Sequence, residues 1–66
     1  MYYNYHGIIQ KKIKNYELEY YEFVEEYHNI KNVLLLYFKD NTIYPIREYR
    51  FMEYLSLIEK YYKKNV

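Results

Sequence analysis

The fold of this chain depends on residues 16–28, Tyr-Glu-Leu-Glu-Tyr-Tyr-Glu-Phe-Val-Glu-Glu-Tyr-His, because the stretch is compatible with two structures. As a helix it could be capped by Asn15, its glutamates are good helix formers, and one apolar stripe forms from Tyr16, Tyr20, Phe23, Val24 and Tyr27. As a strand, neither set of alternating residues is cleanly apolar, although aromatic residues and valine favour strands. The periodicity favours the helix over the strand by a small margin.

Residues 33–46 predict a β-hairpin. Val33 to Lys39 is an apolar run of strand length, and Asp40-Asn41 is a turn dipeptide because both residues tolerate left-handed backbone angles. Thr42 to Ile46 then forms the returning strand. Pro45 cannot donate a ladder hydrogen bond, so this strand is expected at a sheet edge or at its own end.

After Pro45 the period changes to that of a helix over about 47–63. The apolar side falls within a narrow arc at helical spacing and is formed by Arg47, Phe51, Tyr54, Leu55, Ile58 and Tyr62. Glu48 near the start and Lys60 near the end suit the helix dipole. The sequence therefore predicts an amphipathic C-terminal helix that packs on the sheet.

A first strand is expected at about 7–13, entered through Gly7. With a helix at 16–28 the order is β-α-β-β-α, a small α+β fold with an antiparallel sheet. With a strand there, the order becomes an SH3-like four-stranded meander plus a helix. In that version Gly7-Ile8-Ile9 and the turn from Phe38 through Thr42 into Ile43-Tyr44-Pro45-Ile46 resemble an SH3-like or Tudor-like small barrel. The resemblance covers about half the chain, consists of common turn chemistry, and departs from such barrels in the long C-terminal helix.

The length of 66 residues allows one domain, 1–66, in which residues 1–5 are expected to be a flexible N-terminus. Cysteine is absent, which excludes disulfides and thiolate metal sites and favours a cytoplasmic, intracellular address. No apolar run approaches the roughly 20 residues of a membrane span. The first six residues also lack the layout of a signal peptide.

Tyrosine is the unusual feature of the composition. Tyr, Lys, Ile and Asn account for 34 of the 66 residues, there is no Ala, and 13 of the residues are Tyr. These four residues have AT-rich codons, so we expect an AT-rich genome such as that of a low-GC bacterium, its phages or plasmids, or an AT-rich virus. The core of so small a domain cannot hold all these rings, so many tyrosines should lie on a surface or at an interface.

The inventory of reactive side chains argues against an enzyme. Nucleophilic catalysis needs a hydroxyl or thiol beside a base, and Ser56 falls on the polar side of the predicted helix. One glycine cannot make a phosphate-binding loop. Glu25 and His28 have the spacing of two metal ligands on a helix, but no further ligand is indicated. No catalytic residue, metal or cofactor is therefore expected.

Two groups of basic and aromatic residues are candidates for binding. Arg47 and Arg50 stand three residues apart, beside Tyr44 and Tyr49, so their guanidinium groups could hold a phosphate or stack on a base. The second group, at the C-terminus, interleaves lysine with an aromatic ring, as single-strand binding surfaces do, and contains Lys60, Tyr61 and Lys63.

The third candidate is an acidic docking patch. Residues 15–28 contain no Lys or Arg and carry five carboxylates, those of Glu17, Glu19, Glu22, Glu25 and Glu26. The net charge of the whole chain is only +1, so the positive charge is concentrated elsewhere. Charge segregated in this way can pair within the fold, pair between copies or dock a charged partner.

These observations predict a small non-enzymatic binding protein, an accessory or inhibitor protein of a phage or mobile element that binds and modulates a host protein. A homo-dimer or higher oligomer is expected, because association through a tyrosine-rich face would support a thin core. The alternative is a binder of nucleic acid or of a phosphorylated small molecule through an Arg/Tyr/Lys surface. No membrane partner is expected.

Overall fold

The computed structural model describes residues 5–62; residues 1–4 and 63–66 lie outside the described part of the chain. The elements follow one another as helix α1 (Tyr5–Lys14), strands β1 (Leu18–Tyr27), β2 (Ile30–Phe38) and β3 (Ile43–Arg47), a 3₁₀ turn (Glu48–Arg50) and helix α2 (Phe51–Tyr62). The strands form one antiparallel sheet in the order β1-β2-β3. The predicted α+β class is confirmed. The flexible N-terminus predicted for residues 1–5 lies outside the described residues except for Tyr5, which begins α1.

The predicted helix at 16–28 is wrong, because most of these residues, Leu18–Tyr27, form strand β1. The strand pairs with β2 through a two-residue loop, His28-Asn29, that closes the pair Tyr27↔Ile30. Both loop residues have positive φ, 50° and 69°, as a type I′ hairpin turn requires. Ladder hydrogen bonds to β2 therefore outweigh the helical periodicity of the segment, and that pairing depends on tertiary structure.

The predicted strand at 7–13 is also wrong. Residues Tyr5–Lys14 form α1, which buries Ile9 and Ile13 one turn apart. The helix ends in a Schellman motif, in which Tyr16 has a φ of 62° and its N–H donates to the Ile13 carbonyl at 3.0 Å. Gly7 lies inside the first turns of this helix and opens no strand. The sheet therefore has three strands, and the SH3-like meander is excluded.

The hairpin at 33–46 and the C-terminal helix are confirmed. β2 pairs with β3 around the predicted turn, where Asn41 has a φ of 71° and Asp40 accepts a hydrogen bond from the Thr42 N–H at 3.1 Å. β3 is an edge strand, as Pro45 requires. The helical region starts later than predicted, since Arg47 still belongs to β3.

The hydrophobic core lies between one face of the sheet and both helices. Its buried members are Ile9, Ile13, Leu18, Leu34, Leu36, Phe38, Ile46, Tyr54 and Ile58. Val33 and Leu35 alternate with these residues along β2 and lie on the opposite face. Their cross-strand neighbours are Val24, Glu22, Arg47 and Pro45. Neither helix of the described residues packs on this face of the sheet. One face of the sheet is thus left to the strands' own side chains.

Candidate functional site

A cleft of about 440 Å³ opens where the N-terminal end of α1 meets the free edge of β3 and the 3₁₀ turn. Its polar and aromatic walls are formed by Tyr5, His6, Tyr44, Arg47, Tyr49 and Arg50, and Ile9, Ile43 and Pro45 complete it. The structure thus brings together all four members of the Arg/Tyr group identified in the sequence. Tyr5 and His6 were not predicted, because their place in the cleft depends on α1 being a helix.

The two arginines of the cleft have different surroundings. Arg47 is exposed and makes no ion pair or side-chain hydrogen bond with the other described residues. The Nη1 atom of Arg50 donates to both carboxylate oxygens of Glu53, at 2.9 and 3.1 Å. The Nε atom of Arg50 is buried and has no hydrogen-bond partner among the described residues. Arg47 therefore supplies a free charge, and Arg50 an unused donor.

Behind the arginines, His6 is held by the core. Its Nδ1 lies 2.6 Å from the hydroxyl oxygen of Tyr54, whose ring is fully buried. Burial lowers the pKa of His6, and the nearby positive charge of Arg50 lowers it further. Burial also raises the pKa of the Tyr54 hydroxyl to about 12. At neutral pH the cleft therefore has a neutral imidazole near Arg50, and the Tyr54 phenol that contacts this imidazole is protonated.

The aromatic side chains of the cleft differ in their exposure to solvent. Tyr49 is 80% exposed, with its ring centroid 6.0 Å from the Arg50 guanidinium carbon, a cation–π contact. Tyr44 is half-buried and packs edge-on against Phe38. Tyr5 is exposed at the mouth of the cleft. Tyr49 and Tyr5 therefore offer accessible ring surface, whereas Tyr44 is held in place by the core.

The C-terminal basic group lies elsewhere. Tyr61 packs edge-on against Tyr16, at the end of α2 remote from the cleft. Lys60 is exposed on the same end of the helix, roughly 15 Å along α2 from Arg50 at the usual rise per residue. Lys63 lies outside the described residues. The two basic groups of the sequence therefore form no continuous surface in the described part of the chain.

The acidic patch lies on β1, at the edge of the sheet. Glu19, Glu22, Glu25 and Glu26 are exposed along the strand, while Glu17 precedes it and meets the Lys12 ammonium at 3.5 Å. Glu26 has an exposed partner in Lys31, at 3.7 Å. Most of the acidic charge is therefore left facing solvent.

Aromatic rings accompany these carboxylates on both faces of β1. Tyr20 stacks on Tyr37 with centroids 4.3 Å apart, and the Tyr37 hydroxyl donates to Glu22 at 2.5 Å. Tyr21 and Phe23 lie on the other face, and both are exposed. Tyr20, which the helical interpretation directed into the core, instead lies on the face that neither described helix covers. Alternation along a strand separates Tyr20 from Tyr21 and Phe23, but it does not predict the register shift that places Leu18 and Tyr20 on opposite faces.

Within residues 5–62 no group of three or more His, Cys, Asp or Glu side chains could hold a metal ion. Glu25 and His28 are no longer neighbours on a helix, because one is in β1 and the other in its turn. No helix in this range is long and apolar enough to cross a membrane.

Comparison with known proteins adds no relative: no family model, no curated protein and no solved structure matches this chain.

Proposed function

We propose that this protein is a non-enzymatic binding protein that docks a basic protein partner along strand β1 and thereby modulates it. Its frequent use of residues with AT-rich codons supports an origin in a phage or mobile element. An accessory or inhibitor role would suit a small protein of that origin. The observation that carries the proposal is a ten-residue strand at the sheet edge in which only Leu18 is buried.

An exposed edge strand is a binding template. One side of β1 pairs with β2, and the other side pairs with no strand of the described residues. The backbone N–H and C=O groups on such an edge can add a further strand, and the alternating side chains then provide specificity. Tyr20, Tyr21 and Phe23 supply the exposed aromatic area that protein interfaces favour.

The charge of the strand selects the partner. The four exposed glutamates of β1 would attract a segment carrying Lys or Arg and would accelerate its association at low salt. They also oppose pairing of β1 with β1 of a second copy, because an antiparallel pair would bring carboxylates of both chains close together. A basic partner is therefore favoured over a second copy at this edge.

Self-association remains a prediction, and the tyrosine-rich face is the place for it. That face contains the Tyr20–Tyr37 stack and the exposed Ile43, and no helix of the described residues covers it. Light scattering during size-exclusion chromatography tests the prediction directly. A monomeric mass at high protein concentration would exclude it.

The docking proposal is tested by affinity capture from a lysate of the host cell, with charge-reversed baits. Two baits are used: the single variant Glu25→Lys, and a double variant that also carries Glu19→Lys. Both side chains are exposed and make no ion pair within the described residues. Glu48→Lys, in the 3₁₀ turn, changes the same charge away from β1 and is the control. Far-ultraviolet circular dichroism of each bait checks that it is folded.

A partner captured by the wild type and by Glu48→Lys but lost with the β1 variants supports the proposal. Amide hydrogen exchange should then show added protection within residues 18–27 of the complex. Equal capture by all the baits, or protection confined to other elements, removes β1 as the docking site.

A further inference from the structure

We propose that the cleft between α1, β3 and the 3₁₀ turn is a small-molecule site for a nucleoside monophosphate or a phosphate ester of similar shape. Arg47 and Arg50 would bind the phosphate, and the exposed rings of Tyr49 and Tyr5 would stack on the flat base. The site is independent of the docking strand, because no residue of β1 lines it.

The preference for an anion comes from the arginines. Arg47 makes no ion pair with the described residues, so none of their carboxylates neutralises its charge. Arg50 is half engaged, since Glu53 takes its Nη1 while the buried Nε has no acceptor. A buried donor without an acceptor is unfavourable, and a phosphate oxygen would satisfy it through a charge-assisted hydrogen bond.

The Glu53 carboxylate limits how much anionic charge the cleft can attract. It lies 2.9 Å from Arg50 Nη1 and is held on its other side by the Gln10 amide at 2.8 Å. The ligand therefore meets one full positive charge, that of Arg47, and one partly neutralised guanidinium. A monophosphate matches this balance better than a polyphosphate, which would be left with uncompensated charge.

The tyrosines that line the cleft favour a ligand with a flat aromatic ring. Tyr49 is anchored at the arginine by its cation–π contact yet keeps most of its surface in solvent. Base-on-aromatic stacking tolerates any base, because every base presents a π-face. Tyr44 closes the inner side with a ring already fixed against Phe38.

The size and position of the cleft favour a free nucleotide over a strand of nucleic acid. A volume of about 440 Å³ falls in the range of small-molecule pockets. Lys60, which could follow a phosphate backbone, lies at the far end of α2. A nucleic-acid strand leaving the cleft would therefore not follow a continuous basic track over the described residues.

The test is a titration of the ¹⁵N-labelled full chain with the four ribonucleoside monophosphates, in which NMR monitors the amide chemical shifts. Inorganic phosphate, adenosine and a short oligothymidylate are titrated in parallel. We expect at least one monophosphate to bind with a Kd of about 1 mM or tighter. Its amide shifts should be confined to residues 5–9 and 43–50, and adenosine and phosphate alone should each bind about tenfold more weakly.

Two variants separate the cleft from general electrostatic attraction. Arg47→Gln removes an exposed charge with no structural partner, so it should fold normally and weaken binding of the monophosphate about tenfold. Lys60→Gln removes the same charge at the far end of α2 and should leave binding unchanged.

Four outcomes overturn the assignment. They are the absence of shifts with all four monophosphates, shifts spread over α2 as far as Lys60, equal weakening by the two variants, and oligothymidylate binding that exceeds every monophosphate. The last outcome would instead indicate a nucleic-acid surface. None of them affects the docking strand, which is tested by its own variants.

Discussion

The Tyr54 hydroxyl lies 2.6 Å from His6 Nδ1 and joins the two helices, whose residues are 48 positions apart in the chain. Among the described residues Tyr54 is the largest fully buried side chain; its ring is surrounded by the core, and its hydroxyl contacts His6, which lines the cleft. Buried tyrosines usually find such a partner for the hydroxyl. This contact therefore couples the stability of the fold to the geometry of the cleft.

Replacing Tyr54 with Phe removes the hydroxyl and keeps the ring. We expect the free energy of unfolding to fall by about 1 kcal/mol, because one hydrogen bond is lost and the His6 nitrogen loses its partner. Urea unfolding at neutral pH measures the change. Tyr49→Phe is the matched control, since Tyr49 is 80% exposed and should change stability by less than about 0.5 kcal/mol. Equal effects of the two substitutions would mean that the contact between Tyr54 and His6 contributes nothing to the free energy of unfolding.

The pair between Lys12 and Asp40 predicts a specific acid sensitivity. The hydrogen bonds from Lys12 and Thr42 lower the pKa of Asp40 from 3.8 to about 2. A carboxyl with a depressed pKa contributes stability above its unfolded pKa and loses it as the pH falls through the folded pKa. Asp40→Asn should therefore be less stable than the wild type at neutral pH, and the difference should vanish between about pH 4 and pH 2.

Urea unfolding of the wild type and Asp40→Asn over that pH range tests this expectation. Glu48→Gln neutralises an exposed carboxylate that has no ion pair within the described residues, and it serves as the control. A stability difference for Asp40→Asn that is constant with pH would contradict the assigned pKa shift.

Gly7→Ala distinguishes the helix from the strand that the sequence predicts for this segment. Gly7 is exposed within α1, and no glycine of the described residues has a positive φ. An alanine methyl group should therefore fit without strain and stabilise the protein by roughly 0.5–1 kcal/mol. Thermal or urea unfolding measures the gain. A loss of stability would show that the methyl group meets a neighbour or that the segment is not helical.

The turn His28-Asn29 predicts opposite effects for two substitutions at one position. Asn29 has a φ of 69°, which glycine adopts freely and β-branched residues avoid. Asn29→Gly should preserve stability or raise it by a few tenths of a kcal/mol, whereas Asn29→Val should lower it by about 1–2 kcal/mol. Denaturation of both variants measures the difference. Equal stability would exclude the left-handed turn.

Parts of the fold were predictable because their signals are local. Asp40-Asn41 is a turn by its own side-chain chemistry, and Val33 to Phe38 is an apolar run of strand length that ends at this turn. Phe51, Tyr54 and Ile58 recur at the helical period, and all three contribute to the core. The Arg/Tyr cluster was found for the same reason, since Tyr44 to Arg50 are adjacent in sequence.

The misassigned segments are those in which local preference and long-range pairing disagree. Ile9 and Ile13 are compatible with either a helix or a strand. The helix forms because it buries both side chains in the core that contains Tyr54. The glutamates of residues 16–28 favour a helix, yet β1 forms because it pairs with β2 along most of its length and His28-Asn29 adopts the left-handed turn. His28 carries no familiar hairpin signal, although Asn and His tolerate positive φ better than most residues.

The sequence by itself thus determined the fold class, the hairpin at 33–46, the last helix and the four residues that line the cleft beside β3. Tertiary structure decided that residues 18–27 form an edge strand, which places four glutamates, Glu19, Glu22, Glu25 and Glu26, along an acidic border of the sheet. It also decided that Tyr5 and His6 complete the cleft. The physical reason is the same in both cases. Cross-strand hydrogen bonds and shared burial are contacts between residues far apart in the chain, and local periodicity does not reveal such contacts.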